Sequence, residues 1–251
     1  MKLLSLARDL SRRKARERHS LFVVEGVRGV EELLRSSLDV KGALIAPQLL
    51  EAPRGLALKA ALAQRGVVAE EVSFRDFASA AATDSPQGVL AIAAVPARTL
   101  DTMPMTDAPL LVLDGVQDPG NVGTILRTAA ALGARATVAL PGTVDLWNAK
   151  VVRSAVGAHF AHFAFDCTWE ALRAFLEQTA TPLWATAVDG QPVRDVARAS
   201  RVAIALGNEG AGVSADVAAA ASERVAIPIG NGAESLNVAV AAGILLYALR
   251  S

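Results

Sequence analysis

Asn121 and Arg127 in DPGNVGTILR, Asn208 and Glu209 in GNEGAG, and Ser235 and Asn237 in AESLN are polar side chains set in or beside glycine-rich stretches. Together they offer an amide, a guanidinium, a carboxylate and a hydroxyl, which covers donors and acceptors of every common kind. Gly120, Gly123, Gly207, Gly210, Gly212, Gly230 and Gly232 punctuate the same stretches, and glycine lets a ligand come up against the backbone. Taken singly, each stretch reads most simply as a strand-to-helix turn, with Ser235 as the N-cap of the apolar run behind it. A cap leaves Asn237 unexplained, two residues further into that run. Three such stretches, each closing an apolar strand, read together as one polar site.

The chemistry that several cofactors demand is missing. A dinucleotide site needs G-x-G-x-x-G in its first strand-to-helix turn, which GNVGTILR lacks, and a phosphate loop needs G-K-[ST]. No G-x-S-x-G marks a nucleophile. No His, Cys and carboxylate cluster has metal-ligand spacing, so no metal is expected; His159 and His162, flanked by apolar residues, read as packed or surface histidines.

These residues need a scaffold. From Leu110 the chain runs LLVLDG, ATVAL, HFAFD, LWATAV, VAIALG and VAIPI, separated by helical patterns. Continuous apolar runs of this kind predict parallel strands covered on both faces, with ligands beyond their carboxyl ends. Residues 1–95 alternate helix and strand as a smaller α/β unit that opens on one basic helix. Residues 96–108 hold Pro96 and Pro104 with little periodicity and read as a linker. The expected domains are therefore 1–95 and 109–251.

The chain has 251 residues, 52% of them hydrophobic, enough for a sizeable core. Lys plus Arg and Asp plus Glu both number 25, so net charge excludes nothing. Yet residues 1–20 carry Lys2, Arg8, Arg12, Arg13, Lys14, Arg16 and Arg18 against Asp9 and Glu17, a local basic face that survives the neutral average and reads as a solvated face or a phosphate-binding one. Lys150 and Arg153, three apart on one predicted helix face, read equally as a solvated face or as a second phosphate contact. Cys167 is the sole cysteine, which fits a reducing cytoplasm, and no secretory h-region follows the basic start. The apolar run of residues 238–249 is too short to span a bilayer.

DGVQDPGNVGTILRTAAALGA, ALGNEGAGVS and IPIGNGAESLNVAVAAGILLYAL resemble, in order and spacing, the three motifs of the SpoU (TrmH-like) RNA 2′-O-ribose methyltransferases of the SPOUT superfamily. FVVEGVRGVEELL and SPQGVLAI look like that family's L30e-like substrate-binding domain. The resemblance implies an α/β fold whose parallel sheet, with helices on both faces, carries a deep trefoil knot, and it implies a homodimer.

It further implies transfer of a methyl group from S-adenosylmethionine to a ribose 2′-hydroxyl of structured RNA. Ribosomal RNA is favoured over transfer RNA, because the N-terminal extension is commoner among ribosomal-RNA enzymes. Carried over residue by residue, the catalytic set is Arg127, Asn121, Glu209, Ser235 and Asn237. The cofactor set is Gly207, Asn208, Gly210, Ile227, Pro228 and Leu236, and RNA contacts fall to Arg12, Arg13, Lys14, Arg16, Lys150 and Arg153. Families of this kind assign the base to the motif-one arginine, but a guanidinium is always protonated. Arg127 is therefore expected to clamp a phosphate and polarise the 2′-oxygen, with Asn121 fixing its fork. A non-catalytic RNA-binding factor on the same fold and a nucleotide-dependent oxidoreductase are the competing classes. The complete motif set opposes the first, and the missing dinucleotide fingerprint opposes the second.

Overall fold

The computed structural model describes residues 2–196, 201–230 and 234–249, so Gly232 and its neighbours in the third loop lie outside the description. The chain divides into two compact units, residues 1–97 with 147–161, and residues 98–146 with 162–251.

In the first unit the basic opening is two helices, α1 (Leu3–Asp9) and α2 (Arg13–His19), where the pattern predicts one. Arg16 explains the break. It is buried, and its Nη1 donates to the carbonyls of Leu10 (2.8 Å) and Ser11 (2.9 Å), two acceptors that the interruption frees from helical pairing. Then follow β1 (Leu21–Glu25), α3 (Val27–Arg35), β2 (Val40–Ile45), α4 (Pro53–Gln64), β3 (Ala69–Glu71), α5 (Phe74–Ala78) and β4 (Val89–Ala94). The sheet order is β1-β4-β2-β3, with β4 antiparallel to both neighbours and β2 parallel to β3. Val23 joins Leu44, Leu90, Ile92 and Phe77 in the core of one face. Phe22, next along β1, points the other way.

The second unit begins with β5 (Leu110–Asp114), α6 (Pro119–Leu132) and β6 (Ala136–Ala139). The chain then leaves it. Residues 147–161, with α7 (Ala149–Ala155) and α8 (Ala158–Ala161), belong to the first unit, where Trp147 lies 4.4 Å from the Phe22 ring and stacks on His159 at 4.0 Å. The expected domain 109–251 is thus interrupted by a segment that its sequence pattern did not distinguish.

The second unit resumes with β7 (Ala164–Asp166), α9 (Trp169–Gln178), β8 (Leu183–Pro192), β9 (Ala203–Gly207), α10 (Ala215–Ala220), β10 (Glu223–Ala226) and α11 (Val238–Ala248). Its six strands are ordered β10-β8-β9-β5-β6-β7, and every pair is parallel. β5, β6 and β9 are buried along their whole length, which is why they are apolar at every position rather than at alternate ones. β10 ends at Ala226, so the last part of the VAIPI run leaves the sheet.

Residues 96–108 are less free than a linker. Met103 is buried in the second unit's core beside Leu110 and Val112. Arg98 donates to the His162 carbonyl and stands 5.5 Å over the Phe163 ring. Apolar and cationic anchors outweigh the prolines here.

Candidate active site

The site lies at the carboxyl ends of β5, β9 and β10, where side chains brace the first two turns and cap the helix that follows the third. Asp118 caps α6 by accepting from the Asn121 backbone N–H (2.7 Å), with Pro119 in the first turn, where its missing N–H costs nothing. Asn121 is thereby pinned at the helix start.

The second turn hangs on Asn208. Its Nδ2 donates to the Gly115 carbonyl (3.0 Å), and its Oδ1 accepts from the N–H groups of Gly210 (2.9 Å) and Ala211 (3.0 Å). Asp114, buried at the end of β5, accepts the N–H of Ser214 (2.7 Å) and closes the same loop from its far side. Thr143 donates to Leu113 O and accepts from Gly115 N. A Cβ on Gly207 would lie 2.1 Å from the Gly212 carbonyl carbon, so this position is glycine because backbone already fills the space.

The third turn delivers Asn237, not Ser235, as the cap of α11. Asn237 Oδ1 accepts from Ala239 N (2.9 Å) and Val240 N (3.3 Å). The expected serine cap is corrected. Asparagine caps as well as serine does, and the helix starts at Val238.

These turns bring Asn121, Glu209 and Asn237 into one hydrogen-bonded row. Asn237 Nδ2 donates to Asn121 Oδ1 (2.9 Å), and Asn121 Nδ2 donates to Glu209 Oε1 (2.7 Å). Asn121 does not hold the fork of Arg127, contrary to expectation. Six residues on, Arg127 lies about 9 Å along α6 and about a third of a turn round. It is exposed and has no hydrogen bond or ion pair with another described residue.

Beside the row is a cavity of about 470 Å³. Gly207, Asn208, Glu209, Gly210, Ile227, Ser235 and Leu236 line it; Pro228, Arg127, Asn121 and Asn237 do not. Val225, Val238 and Leu245 add an apolar floor, and Thr186 and Val188 of β8 a further wall. The sequence reading missed that strand's contribution, and also Asp114 and Thr143. LWATAV carried no polar loop to attract notice, and Thr143 lies in an unremarkable turn. Glu209 and Glu234 are the charged residues among the described lining, with no Lys or Arg. Such a wall suits a ligand with an apolar ring and a positive centre, and repels phosphates.

The RNA candidates divide. Arg16 is buried and spent on carbonyls, so it is corrected from RNA contact to structural tie. Arg12 pairs with Asp9, and Arg13 with Glu17 at 2.7 Å, which leaves an exposed but partly neutralised face with Lys14. Lys150 and Arg153 are exposed on α7, in the first unit rather than in the unit holding the site. Arg153 and Arg28, each without a hydrogen bond or ion pair to another described residue, line a cavity of about 380 Å³ with Thr83, Ser85 and Gln87. Gly26, at φ 94°, makes its tight turn, and Gln87 Oε1 accepts from Val27 N (2.8 Å).

Of the three histidines, His159 and His162 are buried, as packed histidines would be. His162 bonds Thr137 Oγ1 at 2.8 Å, and burial, assisted by the Arg98 charge, lowers its pKa to about 4. Burial and Asp166 raise Cys167 to about 11, so it remains a thiol. No group of three metal-ligating side chains exists among the described residues.

Comparison with known proteins agrees with this geometry. Residues 108–247 match the SpoU rRNA Methylase family, and residues 5–91 match the MRM3-like substrate binding domain. The chain is 34% identical over 244 residues to the 23S rRNA (guanosine(2553)-2′-O)-methyltransferase RlmP of Bacillus subtilis, covering 97% of this chain and 94% of that protein. The AdoMet-bound rRNA methyltransferase of Sinorhizobium meliloti superposes with TM-score 0.85 at 29% identity, over 99% of this chain and 94% of that one. The SpoU methyltransferase AviRb of Streptomyces viridochromogenes, in complex with AdoMet, does so with TM-score 0.87 at 26% identity, over 99% and 97%. With its three motif loops assembled at the carboxyl ends of a parallel sheet, this chain belongs to the SpoU rRNA methylase family.

Proposed function

We propose that the chain transfers the methyl group of S-adenosylmethionine to a ribose 2′-hydroxyl of ribosomal RNA. The observation that carries this reading is the cavity beside Glu209. It has glycine-rich backbone and apolar floor for an adenosine, two carboxylates for a sulfonium, and no cation for a phosphate among its described lining.

Gly207, Asn208, Gly210, Ile227, Ser235 and Leu236 would hold the cofactor. When bound, it supplies an electrophilic methyl group that needs no metal or acid to activate it. The chain's task is then to place the ribose oxygen in line and relieve it of a proton. Arg127, exposed and without a protein partner among the described residues, is suited to clamp an RNA phosphate as a fork. Arg28 and Arg153, at the first unit's cavity, suit the same substrate at a second place. The B. subtilis relative is named for one guanosine of 23S rRNA, which makes large-subunit RNA the first substrate to try.

A homodimer, the family's knot and a cytoplasmic location complete the proposal. A dimer is supported by Val240, Ile244 and Tyr247, which leave one face of an otherwise apolar helix exposed. The knot is supported by the course of β9 between β5 and β8 and the return of α11 onto α6. A ribosomal substrate and a lone thiol suit the cytoplasm.

Calorimetric titration with S-adenosylmethionine, and separately with a nicotinamide dinucleotide, tests the cavity. Heat is expected from the first alone. Mapping ribose methylation in total RNA with and without the protein should reveal one ribosomal mark that disappears. Absence of binding to S-adenosylmethionine would overturn the assignment.

A further inference from the structure

We infer that Asn121 and Asn237 are positioning residues that act through Glu209: they form a one-way chain of donors, anchored in the start of α11, that holds Glu209 as the acceptor of the ribose hydroxyl proton. The inference rests on the methyl-transfer reading above and assigns the step that reading leaves open.

The direction of the chain follows from the helix. The backbone N–H groups of Ala239 and Val240 belong to the first turn of α11, have no helical acceptor, and can only donate. Asn237 must therefore turn its Oδ1 toward them. Its Nδ2 then faces outward, and the atom it meets on Asn121 at 2.9 Å has to be oxygen. That choice leaves Asn121 Nδ2 for Glu209, so Oε1 receives a donor at 2.7 Å and must offer a lone pair. Amide orientations are in general inferred from their network, and here the network ends on backbone donors that admit one answer.

The other end of Asn121 is fixed too, because Asp118 takes its backbone N–H. Glu209 Oε2 makes no hydrogen bond to another described residue, and Glu209 is exposed on the cavity wall. It is thus an oriented carboxylate with one oxygen held and one available. Arg127 has no lone pair to receive a proton. Asp114 is spent on Ser214 and does not line the cavity.

In the step, the 2′-oxygen bonds to the methyl carbon as the carbon–sulfur bond breaks, both electrons of that bond staying on sulfur. The hydroxyl proton passes to Glu209 Oε2, which later returns it to solvent. Charge balances: cation and carboxylate become thioether and carboxylic acid.

Asn237→Asp is the discriminating variant. Aspartate caps α11 as well as asparagine, but both its oxygens only accept. Asn121 must then reverse and present its oxygen to Glu209, which favours a protonated Glu209. The expected result is an unchanged melting temperature, a cofactor Kd and an RNA KM within about twofold, and kcat lower by at least about tenfold. The acidic limb of the kcat–pH profile should move to higher pH. Glu209→Gln should lose kcat as well, and adding Asn237→Asp to it should cost nothing further, since the second change acts through the missing carboxylate.

An activity-independent arm follows the Asn121 side-chain amide by NMR without RNA. Its signals should shift in both single variants. A folded Asn237→Asp enzyme with wild-type kcat and pH profile overturns the inference, as does an Asn121 amide indifferent to both changes. If Asn237→Asp does not fold, Glu209→Gln with the amide readout decides alone. Failure of the wild-type protein to methylate any RNA would instead remove the functional reading, with the amide arm still reporting whether the chain of donors exists.

Discussion

Arg127 and His162 show how far a side chain's meaning depends on its surroundings. Arg127 is exposed with no intramolecular partner among the described residues, and the proposed function gives its guanidinium an RNA phosphate to hold. Lysine keeps the charge but not the planar fork, and misplacing the substrate oxygen is costly in a transfer that depends on alignment. Arg127→Lys should therefore lower turnover by roughly 100-fold while leaving cofactor affinity unchanged. Single-turnover methylation and calorimetry check the two halves.

His162 is the opposite case, a buried group whose pKa falls to about 4 because water is excluded and Arg98 lies near. Its folded pKa is below its unfolded value of about 6.5, so the unfolded chain binds the proton more readily. Stability is intact above pH 6.5 and drains away as pH falls toward 4. Between pH 7 and 4.5 the wild-type protein should lose about 2 kcal/mol more than His162→Gln. Urea melts of both proteins at the two pH values check the difference.

At the scale of elements, side chains staple the first two loops to their neighbours, and glycine is needed where backbone crosses backbone. Gly207 is the sharpest instance. A methyl group there would meet the Gly212 carbonyl carbon at 2.1 Å and the Val213 nitrogen at 2.2 Å, and neither can rotate away. Gly207→Ala must displace the loop that Asn208 and Asp114 hold. The cofactor Kd should weaken by at least about tenfold, with a lowered melting temperature, since overpacking against backbone costs about 1–3 kcal/mol. The same scale shows what patterning conveys. Six apolar runs became six parallel strands, while the basic opening became two helices because Arg16 found the carbonyls of Leu10 and Ser11. Periodicity registers faces, and it has no means of registering one long side chain folding back on its own chain.

For the molecule as a whole, α11 raises the question of a second copy. One side of it packs on α6, with Gly243 against Thr128, and Val240, Ile244 and Tyr247 are left exposed at helical spacing. A helix apolar all round is normally covered all round. If the proposed dimer forms through this face, light scattering should give a dimer mass for the wild-type protein and a monomer mass for the double variant Val240→Asp, Ile244→Asp. Unchanged mass would show that these residues are not the interface.

Composition and order of residues by themselves determined the class of fold, the parallel sheet and which strand ends carry glycine-rich polar loops. Apolar runs declare burial on both faces, and glycine-rich turns keep their polar residues wherever the strands end. Tertiary structure alone decided how those residues are used. Asn121 and Glu209 are 88 residues apart, and Asn121 and Asn237 are 116, so no local pattern could state that one amide joins both. Nor could it send residues 147–161 into the first unit, where Trp147 meets Phe22, or bury Arg16. Local sequence sets which groups are present and how each turn is capped. Which donor faces which acceptor is set by the crossing of distant segments, where each hydrogen bond fixes the direction of the next.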